Sequence, residues 1–162
     1  SRGSLERLFC RDELGEFLPE KQIIQINQTR TSVGGTVRGF HFQHPPYSET
    51  KIVSCLEGEV FDVAVDLRRT SSTFLMWHGE ILSPGNHKTY LIPDGFAHGF
   101  QALSDTCRMV YFHTAPYNQQ AEGGLCPTDP KLAINWQLPL VNMSDRDTSH
   151  SLIDDHFQGV DI

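Results

Sequence analysis

Short runs of alternating apolar and polar residues recur along the chain, separated by clusters of Gly, Pro and Asn. They follow one another at intervals of roughly 8 to 12 residues, the spacing of strands in a β-sandwich or barrel and not of βαβ units. The pattern predicts strands at residues 22–27, 36–43, 51–56, 60–67, 73–82, 89–92, 99–102 and 108–114. The sequence therefore predicts an all-β fold.

The run at 60–67 has the most regular alternation of all. Four apolar side chains alternate along it with three short or acidic ones: Phe61, Val63, Val65 and Leu67 against Asp62, Ala64 and Asp66. Successive side chains of a strand point to opposite faces, so one face of this strand is expected in the core. After residue 143 the pattern becomes more helical, with Ser144 as a predicted N-cap and Asp147 three residues later.

Length, charge and cysteine spacing limit the classes of protein to which the chain can belong. A chain of 162 residues is expected to form a single domain over residues 1–162. The net charge of −7 argues against nucleic acid or an anionic membrane as the main partner. The four cysteines lack the spacing of a zinc site, and reduced thiols are typical of a cytoplasmic protein. No apolar run reaches the roughly 18 residues of a membrane span, and no signal-peptide stretch is expected.

Polar side chains of types that act in catalysis lie on the inward faces of three predicted strands. In the run 36–43 the two-residue period places Gly39, His41 and Gln43 on one face, and on the other Arg38, Phe40 and Phe42. Lys51 shares a face with Val53 and Cys55, and Tyr111 shares a face with Cys107, Met109 and His113. Burying polar groups is costly unless they are paired or used, so their convergence in a small barrel predicts a functional site.

Two segments resemble the paired motifs of cupins. They are Gly35 with His41, Gln43, Lys51 and Gly58, followed by Pro93-Asp94-Gly95-Phe96-Ala97-His98. The positions that bind metal in many cupins are here His41, Gln43, Lys51 and His98. Because an ammonium group repels a divalent cation and cannot coordinate it, Lys51 argues against a metal, and no cofactor is expected.

A stronger resemblance, over nearly the whole chain, is to the dTDP-4-dehydrorhamnose 3,5-epimerase family. The similar segments keep their order and spacing: Arg2-Gly3-Ser4-Leu5, Gln25-Ile26-Asn27, Arg38-Gly39-Phe40-His41-Phe42-Gln43, Lys51-Ile52-Val53, the runs 58–68 and 92–100, Tyr111, Tyr117 with Glu122, Asp129-Pro130, Ile134-Asn135-Trp136 and Ser144-Asp145-Arg146-Asp147. The resemblance implies a metal-free, cupin-type jelly-roll barrel with a short helical C-terminal tail. It also implies an isomerase that acts on a nucleotide-linked 4-keto-6-deoxyhexose in deoxysugar biosynthesis. The enzyme inverts carbon 3 of this sugar, and the resemblance does not decide whether it also inverts carbon 5.

The resemblance also implies a role for individual residues. His41 is expected to be the general base, oriented by Asp147, while Lys51 stabilises the enolate oxygen and Tyr111 returns a proton from the opposite face. The implied substrate-binding residues are Arg38, His98, Gln25, Asn27, Gln43, Arg2, Tyr117 and Glu122. Since Arg2 often serves the neighbouring subunit's site in this family, a homodimer is implied.

The physical demands of such a reaction agree with these residue types. A proton beside a ketone is weakly acidic, so a histidine base is worth about 10²–10⁴ in rate. A cation or donor at the developing oxyanion contributes roughly 10²–10³ more. Inversion then requires an acid on the other face of the carbon, and a phenol is protonated at neutral pH.

Each of these residues also has a structural interpretation. His41 could be a hydrogen-bonded core histidine, Lys51 could extend to solvent, and Tyr111 could simply fill the barrel. Asp147 could complete a capping box with Ser144, and His113 is taken as structural although it shares the face of Tyr111.

Three departures from the family keep alternatives open. An additional residue lies near Gly34-Gly35, Glu49 replaces a usual Gln, and Phe112-His113 replaces a common Lys-Thr. A carbon-3-only epimerase acting on a CDP-sugar, a metal-dependent cupin enzyme and a non-catalytic sugar-nucleotide-binding cupin are the alternatives.

Overall fold

The computed structural model describes residues 2–162 and folds them into two antiparallel sheets. The strands are β1 (Gln25–Thr31), β2 (Val37–Gln43), β3 (Lys51–Glu57), β4 (Val60–Asp66), β5 (Trp77–Leu82), β6 (Thr89–Ile92), β7 (Phe96–Ala102), β8 (Cys107–His113) and β9 (Glu122–Gly124). The four-stranded sheet has the order β1-β8-β3-β6, and the five-stranded sheet has the order β5-β4-β7-β2-β9. This arrangement confirms the predicted all-β jelly roll.

Two short helices accompany the sheets, α1 (Arg11–Gly15) and α2 (Asp145–Thr148). The hydroxyl of Ser144 accepts a hydrogen bond from the backbone N–H of Asp147, which confirms the predicted N-cap. The helical part of the tail is confined to these four residues. Neither helix within residues 2–162 has the length and apolar character that a membrane span requires.

All eight predicted strands are present, with three shifted boundaries. The strand predicted at 22–27 lies at 25–31, the one predicted at 73–82 begins only at 77, and the one predicted at 99–102 begins at 96. The late start of β5 has a local cause, because Asp66 accepts hydrogen bonds from the hydroxyls of Ser71 and Thr73 and holds these residues in turns. The three-residue strand β9, Glu-Gly-Gly, has no β-branched or aromatic residue that could have revealed it.

The core has an inner and an outer layer around the five-stranded sheet. Between the two sheets, Val60 and Ala64 of β4 pack with residues of β3 and β8. On the outer face, Phe61, Val63 and Val65 pack against the chain that follows β9. Both faces of β4 are therefore buried, where the alternation predicted one core face. Its acidic inner positions, Asp62 and Asp66, are 0% and 1% exposed and must find partners inside the protein.

Candidate active site

A cavity of about 770 Å³ opens between the sheets and is closed on one side by α2. Seven of the predicted residues line it: Asn27, Arg38, His41, Lys51, His98, Tyr111 and Asp147. The five-stranded sheet supplies His41 from β2, and the four-stranded sheet supplies Lys51 from β3 and Tyr111 from β8. The cavity thus receives an imidazole, an ammonium and a phenol from two facing walls.

His41 is held by a carboxylate that arrives from far along the chain. Its Nε2 is 2.7 Å from Oδ1 of Asp147, and Oδ2 of Asp147 accepts the backbone N–H of Gly39 at 3.2 Å. Ser144 therefore caps α2 through its hydroxyl, while the Asp147 carboxylate is directed to His41 and not back to the helix end. Burial raises the pKa of Asp147, but the hydrogen bonds from His41, Gly39 and Ser144 outweigh it and hold the pKa at about 2.

An ionised carboxylate can only accept hydrogen bonds, so Asp147 fixes a proton on Nε2 and leaves the lone pair of His41 on Nδ1. Arg146 approaches the same nitrogen, with Nη2 at 2.6 Å, and also contacts Glu122. In a single tautomer, Nε2 of His41 cannot both donate to Asp147 and accept from Arg146. We assign the proton to the Asp147 contact because that carboxylate is buried and fixed by Gly39, whereas Arg146 is 53% exposed and can turn away.

We expect Asp147→Asn to lower the turnover number by roughly 10²-fold, because an amide does not fix the productive tautomer of His41. It should also lower the free energy of unfolding by about 2 kcal/mol at pH 7. The pKa of Asp147 is depressed by folding, so its stabilisation is present above about pH 4 and is lost as the pH falls towards 2. The difference from wild type should shrink over that range in urea titrations.

The matched control is Asp145→Asn, which changes an exposed carboxylate on the same helix and should leave both quantities nearly unchanged. Equal behaviour of the two variants would contradict the role of Asp147.

A bulge at Gly39 changes which residues of β2 face the cavity. The pairing with β7 shifts register between Arg38 and His41, so both side chains line the cavity, while Phe40 and Phe42 pack in the outer core. The prediction that Arg38 shares a face with the two phenylalanines is therefore wrong, because a bulge interrupts the two-residue period. Gly39 has φ +109°, and a Cβ there would lie 2.6 Å from the backbone of Gly99 and His98.

Gly39→Ala is expected to destabilise the protein by at least about 1 kcal/mol, since it forces both a positive φ and a backbone clash. Chemical denaturation measures this directly. The control is Gly15→Ala, where a Cβ meets nothing within 4 Å, and its effect should stay within about 0.5 kcal/mol. Similar stability of the two variants would show that the bulge tolerates a side chain.

Lys51 is buried in the cavity wall and does not extend to solvent. Its side chain is 10% exposed, and Nζ lies 3.3 Å from Oε1 of Glu49 and 3.4 Å from the carbonyl oxygen of His41. The ammonium is thus held beside the histidine by two acceptors, and its third N–H remains for another partner.

Tyr111 presents a neutral phenol to the cavity. Burial raises its pKa well above the ordinary value, and its hydroxyl lies 3.1 Å from Oγ1 of Thr29. Its ring lies between the imidazoles of His98 and His113, at centroid distances of 6.0 and 6.2 Å. The phenol therefore retains its proton at neutral pH and is fixed in position by packing.

His98 is paired with Asp62, whose oxygens lie 2.9 and 3.0 Å from Nε2. Both side chains are buried, with His98 at the cavity wall. Arg38 is oriented separately, since its Nε donates to the hydroxyl of Thr31 at 3.1 Å.

Five predicted binding residues lie outside the cavity lining: Gln25, Gln43, Tyr117, Glu122 and Arg2. Gln43 is bonded to the backbone of Tyr47, Pro116 and Asn118, which makes it a brace between loops. Gln25 accepts the N–H of Tyr117, and the Tyr117 hydroxyl donates to Glu122 at 3.1 Å. Arg2 is exposed.

Several residues in or beside the cavity were assigned no role in the site from the sequence, among them Thr29, Asp62 and Arg146, and Glu49 was noted only as a departure from the family. A signal existed for Asp62, because an acidic residue on a strand this apolar needs a buried partner. Arg146 adjoins Asp147 in the sequence, whereas the bond of Thr29 to Tyr111 and that of Glu49 to His113 link residues 82 and 64 positions apart.

Comparison with known proteins gives a consistent result. A family model described as dTDP-4-dehydrorhamnose 3,5-epimerase matches residues 1–155. The dTDP-4-dehydrorhamnose 3,5-epimerase of Shigella flexneri is 42% identical over 147 residues, which cover 90% of this chain and 81% of the relative. The dTDP-4-dehydrorhamnose 3-epimerase of Streptomyces niveus is 41% identical over 118 residues, which cover 72% of this chain and 57% of the relative.

A solved structure from Legionella pneumophila, a dTDP-6-deoxy-D-glucose-3,5-epimerase in complex with dTDP-4-keto-L-rhamnose, superimposes with a TM-score of 0.89. It is 39% identical, and the superposition covers 98% of this chain and 86% of that one. The fold of the whole described chain is thus shared with this structure.

Proposed function

Because the chain belongs to the dTDP-4-dehydrorhamnose 3,5-epimerase family, we propose that it is an isomerase that inverts carbons 3 and 5 of a dTDP-linked 4-keto-6-deoxyhexose by proton removal and return. The observation that carries the proposal is the placement of His41 and Tyr111. They reach one cavity from different sheets, so a base and an acid face a bound sugar from two walls. Inversion requires this arrangement, because the proton must return to the face opposite the one it left.

The steps follow from the residues present. Nδ1 of His41 takes the proton beside the ketone, and the C–H electron pair moves to form an enolate. Lys51, with one N–H unused by Glu49 and His41, stabilises the charge on the enolate oxygen. The Tyr111 hydroxyl then donates a proton to the other face of the carbon. Arg38 and His98 hold the sugar and diphosphate, and Asn27 contacts the nucleotide.

The nucleotide preference rests on the relatives. The Legionella structure contains a dTDP-sugar, so we propose dTDP in preference to CDP for this chain. Inversion at both carbons is proposed because the matching family model and the Shigella relative bear that activity in their names. The Streptomyces niveus relative is named for carbon 3 alone, which makes a carbon-3-only reaction the main competing outcome.

Solvent exchange tests the proposal. The protein is incubated in heavy water with dTDP- or CDP-linked 4-keto-6-deoxyglucose, and NMR measures deuterium at each ring carbon. We expect exchange and inversion at carbons 3 and 5 with the dTDP-sugar. Exchange at carbon 3 alone would identify the carbon-3-only enzyme, and binding without any exchange would identify a sugar-nucleotide-binding protein.

The metal-dependent alternative is tested by metal analysis of the purified protein. The structure gives this alternative little support, because Lys51 is paired with Glu49 and the imidazoles of His41 and His98 each face one carboxylate. Stoichiometric iron, zinc or manganese, with loss of activity on chelation, would favour it.

We also propose a homodimer, located in the cytoplasm. Strand β1 is an edge of the four-stranded sheet; Ile24, which precedes it, and Ile26, which lies within it, are 61% and 57% exposed. Leu5, Leu8 and Arg2 are also exposed and lie in the N-terminal segment that precedes α1. An uncovered edge with apolar side chains favours pairing with a second copy. The free thiols of all four cysteines support a reducing compartment.

A complementation experiment tests the dimer and the role of Arg2 together. If Arg2 serves the partner's cavity, mixing Arg2→Ala with His41→Asn subunits creates heterodimers with one intact cavity. We expect each variant alone to be weakly active and the mixture to recover roughly a quarter of wild-type activity, with light scattering reporting a dimer. The control is a mixture of His41→Asn with Asp147→Asn, in which both changes affect residues of a subunit's own cavity, so subunit exchange cannot create an intact cavity and no recovery is expected. A monomeric protein, or no recovery in the first mixture, would contradict the proposal.

A further inference from the structure

Glu49 is a buried carboxylate placed between two basic side chains of the cavity. Its Oε1 lies 3.3 Å from Nζ of Lys51, and its Oε2 lies 2.7 Å from Nδ1 of His113. The side chains of Glu49, Lys51 and His113 are 9%, 10% and 12% exposed. A single negative charge is therefore shared by one permanent cation and one group that can become a cation.

The contacts fix the proton arrangement of His113. Burial raises the pKa of Glu49, but the hydrogen bond from His113 and the charge of Lys51 outweigh it, and the net pKa is lowered. The carboxylate is therefore ionised and can only accept, so Nδ1 of His113 carries a proton whether the ring is neutral or charged. Nε2 then accepts from Nδ2 of Asn27, 3.5 Å away, in the neutral ring, and carries a second proton in the charged ring.

The groups that face His113 come from three directions. The segment leading into β3 contributes Glu49 and β3 contributes Lys51, while β8 itself contributes Tyr111, on which the imidazole stacks at 23°. Strand β1 contributes the uncharged Asn27 and Gln25. Glu49 is thus the charged group through which a change in His113 reaches Lys51.

Resting on the epimerase function proposed above, we propose that Glu49 and His113 are positioning residues that set how strongly Lys51 attracts the substrate oxygen. When His113 is neutral, the Glu49 charge acts fully on Lys51 and weakens its field in the cavity. When His113 is protonated, the same carboxylate is neutralised by two cations, and more of the Lys51 field remains for the enolate. Neither residue needs to touch the reacting carbons.

This pairing has a consequence for the pH dependence of turnover. Histidine normally changes charge between about pH 5 and 8. The neutral form of His41 is the form that can act as the base, whereas the neutral form of His113 leaves the full charge of Glu49 on Lys51 and weakens its field. The turnover number should therefore pass through a maximum and then fall on the alkaline side, below the range in which lysine or tyrosine titrates.

The test is the pH profile of deuterium incorporation at carbon 3 between pH 6 and 9 for wild type and two variants with opposite expected effects. Glu49→Gln keeps an acceptor beside Lys51 without its charge, so kcat at pH 8.5 should rise about 5-fold and the alkaline fall should disappear. His113→Asn keeps an N–H donor that cannot titrate, so kcat at pH 6 should drop about 5-fold and the profile should again lose its fall. His156→Asn, an exposed histidine near the C-terminus, should reproduce the wild-type profile.

If Glu49 and His113 had only a structural role, both variants would lower kcat in parallel and keep the pH profile of the wild type. That result, or a wild-type profile without the alkaline fall, would overturn the proposal. A wild-type protein that exchanges no deuterium at any pH would instead overturn the epimerase function.

A second measurement needs no substrate. Histidine ¹⁵N NMR of the free protein should show neutral His113 with its proton on Nδ1, the rarer tautomer, and Glu49→Ala, which leaves no acceptor at this position, should abolish that preference. A proton on Nε2 in the neutral ring of the wild-type protein would overturn the pairing itself.

Discussion

Replacing His41 with Asn is expected to lower the rate of deuterium exchange at carbon 3 by about 10²–10⁴-fold, the usual contribution of a positioned general base. Asparagine approximates the shape of the ring and can donate to Asp147, but it has no basic lone pair. Because removal of the proton precedes every later step, exchange and inversion should fall together. Mass spectrometry or NMR of the recovered sugar measures both in one sample.

The matched control is His156→Asn, which removes an exposed imidazole and should retain full exchange. Thermal unfolding of the His41 variant should stay close to that of wild type, since the residue is partly exposed and the Gly39 bond to Asp147 remains. Full exchange by a folded His41→Asn protein would remove His41 from the mechanism.

Tyr111→Phe is expected to separate deuterium exchange at carbon 3 from inversion of that carbon, which occur together in the wild type. His41 can still remove a proton and return a deuteron to the same face, so exchange at carbon 3 should remain within about 10-fold of wild type. Inversion should fall by at least about 10²-fold, because the acid on the opposite wall is gone. The comparison of deuterium content with product configuration, by NMR on the same sample, measures this separation.

Tyr90→Phe provides the control, since Tyr90 is a half-buried phenol on β6 that packs against the inner core and donates to the carbonyl oxygen of His78. It should leave both exchange and inversion unchanged. Loss of exchange and inversion to the same degree in Tyr111→Phe would assign the phenol to proton removal or to folding and not to proton return.

The parts of the fold that could be predicted are those in which local pattern and tertiary environment agree. The alternation along β8 places Tyr111 and His113 on one face, as the structure shows. Lys51 likewise lies on the face of Val53 and Cys55. In both strands the period of two is uninterrupted over the relevant residues, so sequence position determines side-chain direction.

The remaining features depend on a backbone bulge and on contacts between distant segments, which an alternating two-residue pattern does not reveal. Gly39 permits a bulge, and the bulge turns Arg38 from the face of the phenylalanines to that of His41. The burial of both faces of β4 depends on the segment after β9, which covers the sheet from outside. The pairing of Asp62 with His98 and of Glu49 with His113 was missed because these hydrogen bonds link strands or loops that are distant in sequence.

The bond between Asp147 and His41 joins residues 106 positions apart. A ribosome must therefore synthesise all nine strands and the segment that follows β9 before the imidazole can be oriented. Both walls of the cavity can be synthesised while the base still lacks its carboxylate. Docking of α2 thus determines when a newly made chain acquires an oriented base, and a chain truncated before residue 144 would keep the barrel strands without one.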